Sequence, residues 1–468
     1  MPLAPGYSIL KEAYDARFLA GPPPALHVHV AYKLENVGNG DLTFMDVDFP
    51  NERSFGRRDL HVEIDGHTAT PEDLPAEYQA SQPDTLRIPL EGKWSPKQTR
   101  NLSIDYTFES PQNSGSLITL GENEFHLGSR GWLPELAAPK HLLATTPSSA
   151  NLGIFTIRVP SDFHVLARGT PKGRKQDGAE TEYRFALFGN DLPPFVVAGR
   201  YVASPENAGS GAVFWTLQAL EEDSAPAIAQ LSSAWTTLQT DFGLIDKNIT
   251  IPHIVESPEL HGHFADDSGP AAVAFPGGAI VNPAALEQGV TSGEFLGAVT
   301  HALAHNWFGD AIRPTPDASI GLGEGLPEYA TIVIEEARNG EAGRRRRIMQ
   351  YLKRYDDAAS QASETPLGIT MLTDPIGPRR IALAKAPLFY IGLEDICGKA
   401  EVRKGLAEVV KLRRGKDVDY NDLRSELEQT TNRSLGQMFR TWLNDRGIPP
   451  DFRARYPVAP TANQETGE

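Results

Sequence analysis

The chain has 468 residues, 40% hydrophobic and 22% charged, a balance that suits a water-soluble protein with more than one packed core. Its 44 lysines and arginines against 61 aspartates and glutamates leave a net charge of −17, which repels phosphate backbones and anionic lipid and argues against nucleic-acid or membrane-surface binding. One cysteine, Cys397, excludes a disulfide framework and a cysteine-rich metal site, and no apolar run approaches the ~18–20 residues of a membrane span.

The N-terminus, Met-Pro-Leu-Ala-Pro-Gly-Tyr, lacks a basic segment followed by an apolar one, so no signal peptide is expected in the chain as given. A chain whose leader had been removed reads the same, which leaves the compartment open between cytoplasmic and exported. Residues 1–204 read as an antiparallel β-domain. Leu26, Val28, Val30, Tyr32 and Leu34 alternate with His27, His29, Ala31 and Lys33. Leu102, Ile104, Tyr106 and Phe108 repeat that period of two, and Ile154, Ile157 and Val159 follow it more loosely. The Gly-rich clusters 36–40 and 169–173 read as turns between strands. His27 and His29 fall on a polar strand face and read as ordinary surface histidines.

The texture changes near Pro205. Residues 212–242 read as a long helix and 249–255 as a strand. A stretch rich in Gly, Pro and Asp follows at 261–278, then a short strand at 279–282. Beyond Ser292 the pattern is mostly helical, with breaks at Pro314–Ser319 and Pro366–Pro378. Arg344–Arg347 reads as a solvated helix face, Cys397 as a buried structural thiol, and 451–468 as a flexible tail.

Chemistry concentrates in residues 298–310, Ala-Val-Thr-His-Ala-Leu-Ala-His-Asn-Trp-Phe-Gly-Asp. His301 and His305 are four apart, so on a helix both imidazoles leave one face and reach one metal ion. With 12 histidines in the chain, such a pair is unremarkable by itself. Glu324 changes its weight. It opens a second helix in Gly-Leu-Gly-Glu-Gly-Leu-Pro-Glu-Tyr-Ala, able to return beside the first and add a carboxylate. Two neutral imidazoles and one carboxylate form a catalytic set for a single Zn2+, with the fourth position left to water. Glu328, one turn after Glu324, is a candidate acceptor for the N–H of a ligand imidazole.

These residues resemble peptidase family M1, the gluzincin aminopeptidases. The resemblance rests on His-x-x-x-His, the following Trp307-Phe308-Gly309-Asp310, and Glu-Gly-x-x-Glu-Tyr from Glu324 to Tyr329. Lys385 with the helix through Gly398, and the closing segment from Ser434 to Leu443 before Gly447-Ile448-Pro449, are similar to later parts of that family. The resemblance implies an α+β, multidomain chain. An N-terminal antiparallel β-domain at 1–204 would precede a thermolysin-like, mostly helical zinc-peptidase domain with C-terminal helices at 205–450. It also implies peptide-bond hydrolysis with one Zn2+ as cofactor and a peptide as the partner.

Three departures bear on activity. The family places a general-base Glu directly after the first His, where this chain has Ala302. It places an oxyanion-stabilising Tyr two residues before its Lys, where this chain has Leu383. Tyr390, about 10 Å further along that helix, is too distant to substitute. The family's Gly-x-Met-Glu-Asn segment corresponds to 275–282 here, which holds no acid. Gly277, Gly278, Ala279 and Ile280 are still expected to bind an extended peptide through their backbone. Two readings stand: a peptidase scaffold nearly inactive as written, or a pseudopeptidase that binds peptides or a partner protein in the zinc cleft.

Overall fold

The computed structural model describes residues 7–49, 58–74, 85–109, 118–128, 132–136, 153–187, 195–203, 212–217, 225–245, 251–258, 260, 272–282 and 293–457. The chain folds as two compact units, one made of 1–203 with 215–220 and 256–270, the other of 204–214, 221–255 and 271–468.

The first unit is built on strands whose alternation buries one face. β1 (Tyr7–Leu19), β2 (Ala25–Asn36), β3 (Arg58–Ile64), β4 (His67–Ala69), β5 (Thr99–Glu109), β6 (Gly153–Pro160), β7 (Thr170–Asp177) and β8 (Glu180–Leu187) form one sheet in the order β7-β8-β6-β1-β2-β5-β3-β4. Pairing is antiparallel except between β1 and β6, where Ala13 lies opposite Ile154 in parallel. Leu26, Val28, Val30 and Leu34 are fully buried, as are Leu102, Ile104 and Tyr106 across from them. His29 lies partly exposed at the surface, its Nδ1 2.8 Å from the Asp105 carboxylate directly opposite. The cluster at 169–173, expected as a turn, runs instead into β7, an edge strand exposed along its whole length. An edge strand tolerates its Pro171 and Gly173, which coincide with a shift in register.

Further along the chain, β9 (Val213–Thr216) replaces the first turns of the helix expected from 212, and α1 begins only at Ala225 and ends at Phe242. The run Val213-Phe214-Trp215-Thr216 is β-branched and aromatic, and so short an apolar stretch does not separate strand from helix by period. β10 (His253–Glu256), β11 (Ala272–Phe275) and β12 (Gly278–Val281) follow, and β9-β10-β12-β11 are consecutive neighbours in a five-stranded sheet. The helices are α2 (Gly293–Ala304), α3 (Gly325–Ala359, kinked at Gly340), α4 (Ile376–Cys397), α5 (Lys399–Leu412), α6 (Tyr420–Thr431), α7 (Gly436–Asn444) and α8 (Pro450–Arg455). This matches the expected class, a β-rich N-terminal part followed by a mostly helical one. Among the described residues no helix is long and apolar enough to cross a membrane.

Three expectations give way to the packing. The segment from 451 is not all tail, since α8 buries Phe452 edge-on against Trp442 at 5.1 Å; residues 458–468 lie outside the described ones. Cys397 is only half-buried. Arg344 is 2% exposed rather than solvated, with its Nη2 2.7 Å from Glu394 Oε2. The Tyr329 hydroxyl donates to the other Glu394 oxygen at 2.6 Å, and Arg403 joins Glu394, Asp241 and Glu336. A charge run read from sequence looks solvated, but α3 turns one arginine of the four inward onto a partner from α4. Breaking such a buried pair from one side strands the other charge. Arg344→Met is therefore expected to lower stability by roughly 3–5 kcal/mol, measured by urea denaturation.

Candidate metal centre

α2 is an apolar helix whose Val299, Leu303 and Ala304 are buried in the core of the second unit. His301 lies in its last turn and His305 just past its end. The His305 amide still bonds back to the His301 and Ala302 carbonyls, so the two imidazoles keep the one-turn spacing. Residues 307–309 fix that end. Trp307 packs on Trp235 at 5.0 Å and donates Nε1–H to the Gly243 carbonyl at 2.7 Å. Phe308 packs on Phe242 at 5.1 Å. A Cβ on Gly309 would lie 3.3 Å from His305 Nδ1, so the chain can hug that ring only at a small residue.

Glu324 arrives from a different construction. Residues Ser319–Glu324 form a π-helix that leads directly into α3. His301 Nε2 is 3.0 Å from His305 Nε2 and 3.3 Å from Glu324 Oε2, and His305 Nε2 is 3.8 Å from the same oxygen. A tetrahedral ion with bonds of about 2.0–2.1 Å has ligand atoms about 3.3–3.4 Å apart, so the three edges bracket one tetrahedral face. Glu328, a turn further along α3, puts Oε1 3.5 Å from His301 Nδ1 and accepts the Tyr351 hydroxyl.

The charges interlock. Burial alone would push His301 down, but Glu328 and Glu324 outweigh it and raise the imidazole to about 10. Burial, with the His301 charge beside it, holds His305 below its ordinary value despite Glu324. Burial would raise both carboxylates, yet His305 and His301 keep Glu324 low, and His301 pulls Glu328 down to about 2. Without a metal, one imidazolium sits between two carboxylates. The arrangement can trade that proton for a dication.

The other expected site residues fall elsewhere. Ala302 is 1% exposed, its methyl enclosed in the core. Leu383 is partly buried against the same core. Tyr390 is wholly buried and donates to the Gly321 carbonyl at 2.7 Å. The peptide edge expected at Gly277, Gly278, Ala279 and Ile280 is not an edge. β12 is hydrogen-bonded to β10 on one side and β11 on the other, and a Cβ on Gly278 would lie 1.9 Å from the His253 carbonyl. Among the described residues, β11 at 272–275 is the outer strand at this end of the sheet. Sequence reading also missed Asn306. Its Oδ1 accepts the Gly277 amide at 2.5 Å and its Nδ2 donates to the Gly278 carbonyl at 3.3 Å, tying the β11–β12 hairpin to the end of α2. The signal was its place beside His305, but its partners lie 28 and 29 residues away.

Residues 282–442 match the profile of the peptidase family M1 domain. The chain carries an M1 domain. No curated protein sequence matches it. By structure it is similar to a glutamate-to-alanine mutant of the M1 zinc metallopeptidase from Deinococcus radiodurans. The TM-score is 0.66 at 16% identity, covering 95% of this chain and 96% of that one. The same mutant with a Tyr-Ser-Ala substrate bound aligns over the same shares, with a TM-score of 0.64 at 16% identity. Yeast LTA4 hydrolase aligns with a TM-score of 0.68 at 16% identity, over 95% of this chain and 69% of that one. At such identity these likenesses speak for the fold.

Metal ligation needs neutral imidazoles, so the M1 domain's site must give up the His301 proton. Zn2+ added to the full chain at neutral pH is expected to release about one proton, and its affinity to rise roughly tenfold per pH unit on the way to the His301 value. Calorimetry in buffers of different ionisation enthalpy measures both, and no proton release would contradict this charge state.

Proposed function

We propose that the chain is a zinc-dependent M1-type protein that takes a peptide in this site, with a scaffold for peptide-bond hydrolysis that works slowly as written. The observation that carries the reading is the ligand set: His301, His305 and Glu324 bring three ligand atoms to one tetrahedral face within the matched domain. These three would hold the ion, and Glu328 would orient His301. Bound zinc supplies a Lewis acid for the scissile carbonyl and lowers the pKa of its water. A structural relative holding Tyr-Ser-Ala supports a peptide as ligand. β11, outermost at its end of the sheet among the described residues, would offer backbone groups to an extended chain, and Asn306 ties that hairpin to the end of α2.

The slow rate follows from Ala302, at the position of the family's general base. A methyl accepts no proton, and a positioned base contributes ~10²–10⁴-fold. Leu383 offers nothing to an oxyanion, whose loss of one donor costs ~10²–10³-fold.

The second reading is a pseudopeptidase that uses the cleft for binding alone. Tyr390 favours it, because the α4 tyrosine that follows Leu383 is engaged with Gly321 instead of facing a substrate.

The test compares the zinc-loaded chain with Ala302→Glu on free and N-blocked peptides, followed by mass spectrometry. The glutamate form is expected to cut at least ~10²-fold faster. Cleavage limited to free N-termini assigns an aminopeptidase. Because the Ala302 methyl is enclosed, zinc content and circular dichroism of the variant are needed to separate inactivity from misfolding. If both forms fold, hold one zinc and cut nothing, the binding role stands in place of hydrolysis.

A further inference from the structure

Glu324 reaches its place from a turn that an ordinary α-helix would not build. The π-helix Ser319–Glu324 is closed by the Gly325 amide bonding back to the Ile320 carbonyl. Such wide turns are rare, and their hydrogen bonds alone hold them weakly. A relaxation of one residue in register would rotate a side chain by about 100° around the helix axis and carry Glu324 away from the histidines.

α4 grips this turn at two points. The buried Tyr390 hydroxyl donates to the Gly321 carbonyl at 2.7 Å, and its ring is wedged between Tyr329 at 5.5 Å and Phe389 at 5.0 Å. One turn earlier on α4, Ala386 lies so close that a Cβ on Gly325 would come within 2.7 Å of the Ala386 Cβ. Residues 386 and 390 share a face of α4, while 321 and 325 bracket Glu324 on the facing segment. From the other side a Cβ on Gly321 would lie 2.0 Å from the Tyr420 hydroxyl. The turn therefore has glycine at both points of closest approach, and a hydroxyl fills one of its carbonyl positions.

We propose that Tyr390 is a positioning residue for the metal centre. Together with Ala386 it clamps the π-turn and so sets where the Glu324 carboxylate meets His301 and His305. This rests on reading those three residues as metal ligands, and the experiment keeps the two claims apart.

Zn2+ and Co2+ are titrated into the full chain and into Tyr390→Phe, with Tyr329→Phe as the matched control. Tyr329 also loses a buried hydroxyl hydrogen bond there, the 2.6 Å bond to Glu394, but makes no hydrogen bond to the turn. Tyr390→Phe is expected to weaken both ions about 10–100-fold, the range for groups that orient metal ligands, and to change the visible absorption of bound Co2+. Tyr329→Phe is expected to melt earlier but bind as the unaltered chain does. Should Tyr390→Phe fail to fold, Gly325→Ala decides: it is expected to weaken binding, and Ala386→Gly added to it is expected to restore binding by removing the opposing methyl. Equal affinities for Tyr390→Phe and the unaltered chain would overturn the proposal. So would equal losses in the two tyrosine variants, or the absence of rescue by Ala386→Gly. If the unaltered chain takes up neither ion, the metal reading itself falls, and this inference with it.

Discussion

Two glutamates one helical turn apart address both nitrogens of a single imidazole, and much of the site's geometry follows from that contact. Glu324 lies 3.3 Å from His301 Nε2 and Glu328 3.5 Å from His301 Nδ1, so α2 and α3 cannot slide past each other without exposing a carboxylate to a poorer partner. All of these side chains are only about a quarter exposed or less, where water screens little and charge balance matters. The two carboxylates favour a proton on His301, while burial and that charge hold His305 below its ordinary value. The same interlock that holds the two helices together is poised to accept a dication.

The surroundings of that contact are unusually polar for a core. Glu394 is buried on α4 and meets Arg344 and Tyr329 from α3 and Arg403 from α5. Buried charge clusters of this kind add little net stability compared with apolar packing, but each partner is strongly penalised when alone, which fixes mutual orientation. Tyr329 belongs to this cluster through its hydroxyl and touches Tyr390 through its ring. The charge cluster and the π-turn that carries Glu324 are thereby both held by α3 and α4.

The hairpin β11–β12 packs against α2 and is also tied to the end of that helix by one side chain. Asn306, just past the end of α2, satisfies the amide of Gly277 and the carbonyl of Gly278 while also donating to the Leu303 carbonyl of that helix at 3.0 Å. Shortening or lengthening that amide side chain by one methylene would leave buried backbone groups of the hairpin turn unpaired. β12 is paired on both sides, and β11 is the outermost strand at that end of the sheet among the described residues.

The sequence by itself determined the alternation that buries Leu26 to Leu34 and Leu102 to Phe108, because side-chain direction along a strand has a period of two and needs no distant partner. It also marked His301 and His305 as a pair sharing one helix face and Glu324 and Glu328 as a pair one turn apart, whereas the meeting of the two pairs depends on packing. Other features required the tertiary structure. Periodicity could not separate β9 from a helix over four residues, or foresee that Arg344 turns inward to Glu394, 50 residues away. Nor could it show that β12 lies inside its sheet, which depends on β10 pairing with it from the far side. Tyr390 and Asn306 were invisible as contributors to the site because each acts through a backbone group 69 or 29 residues distant. Local spacing records which side chains share a face; only the packed chain decides which carbonyl or amide that face meets.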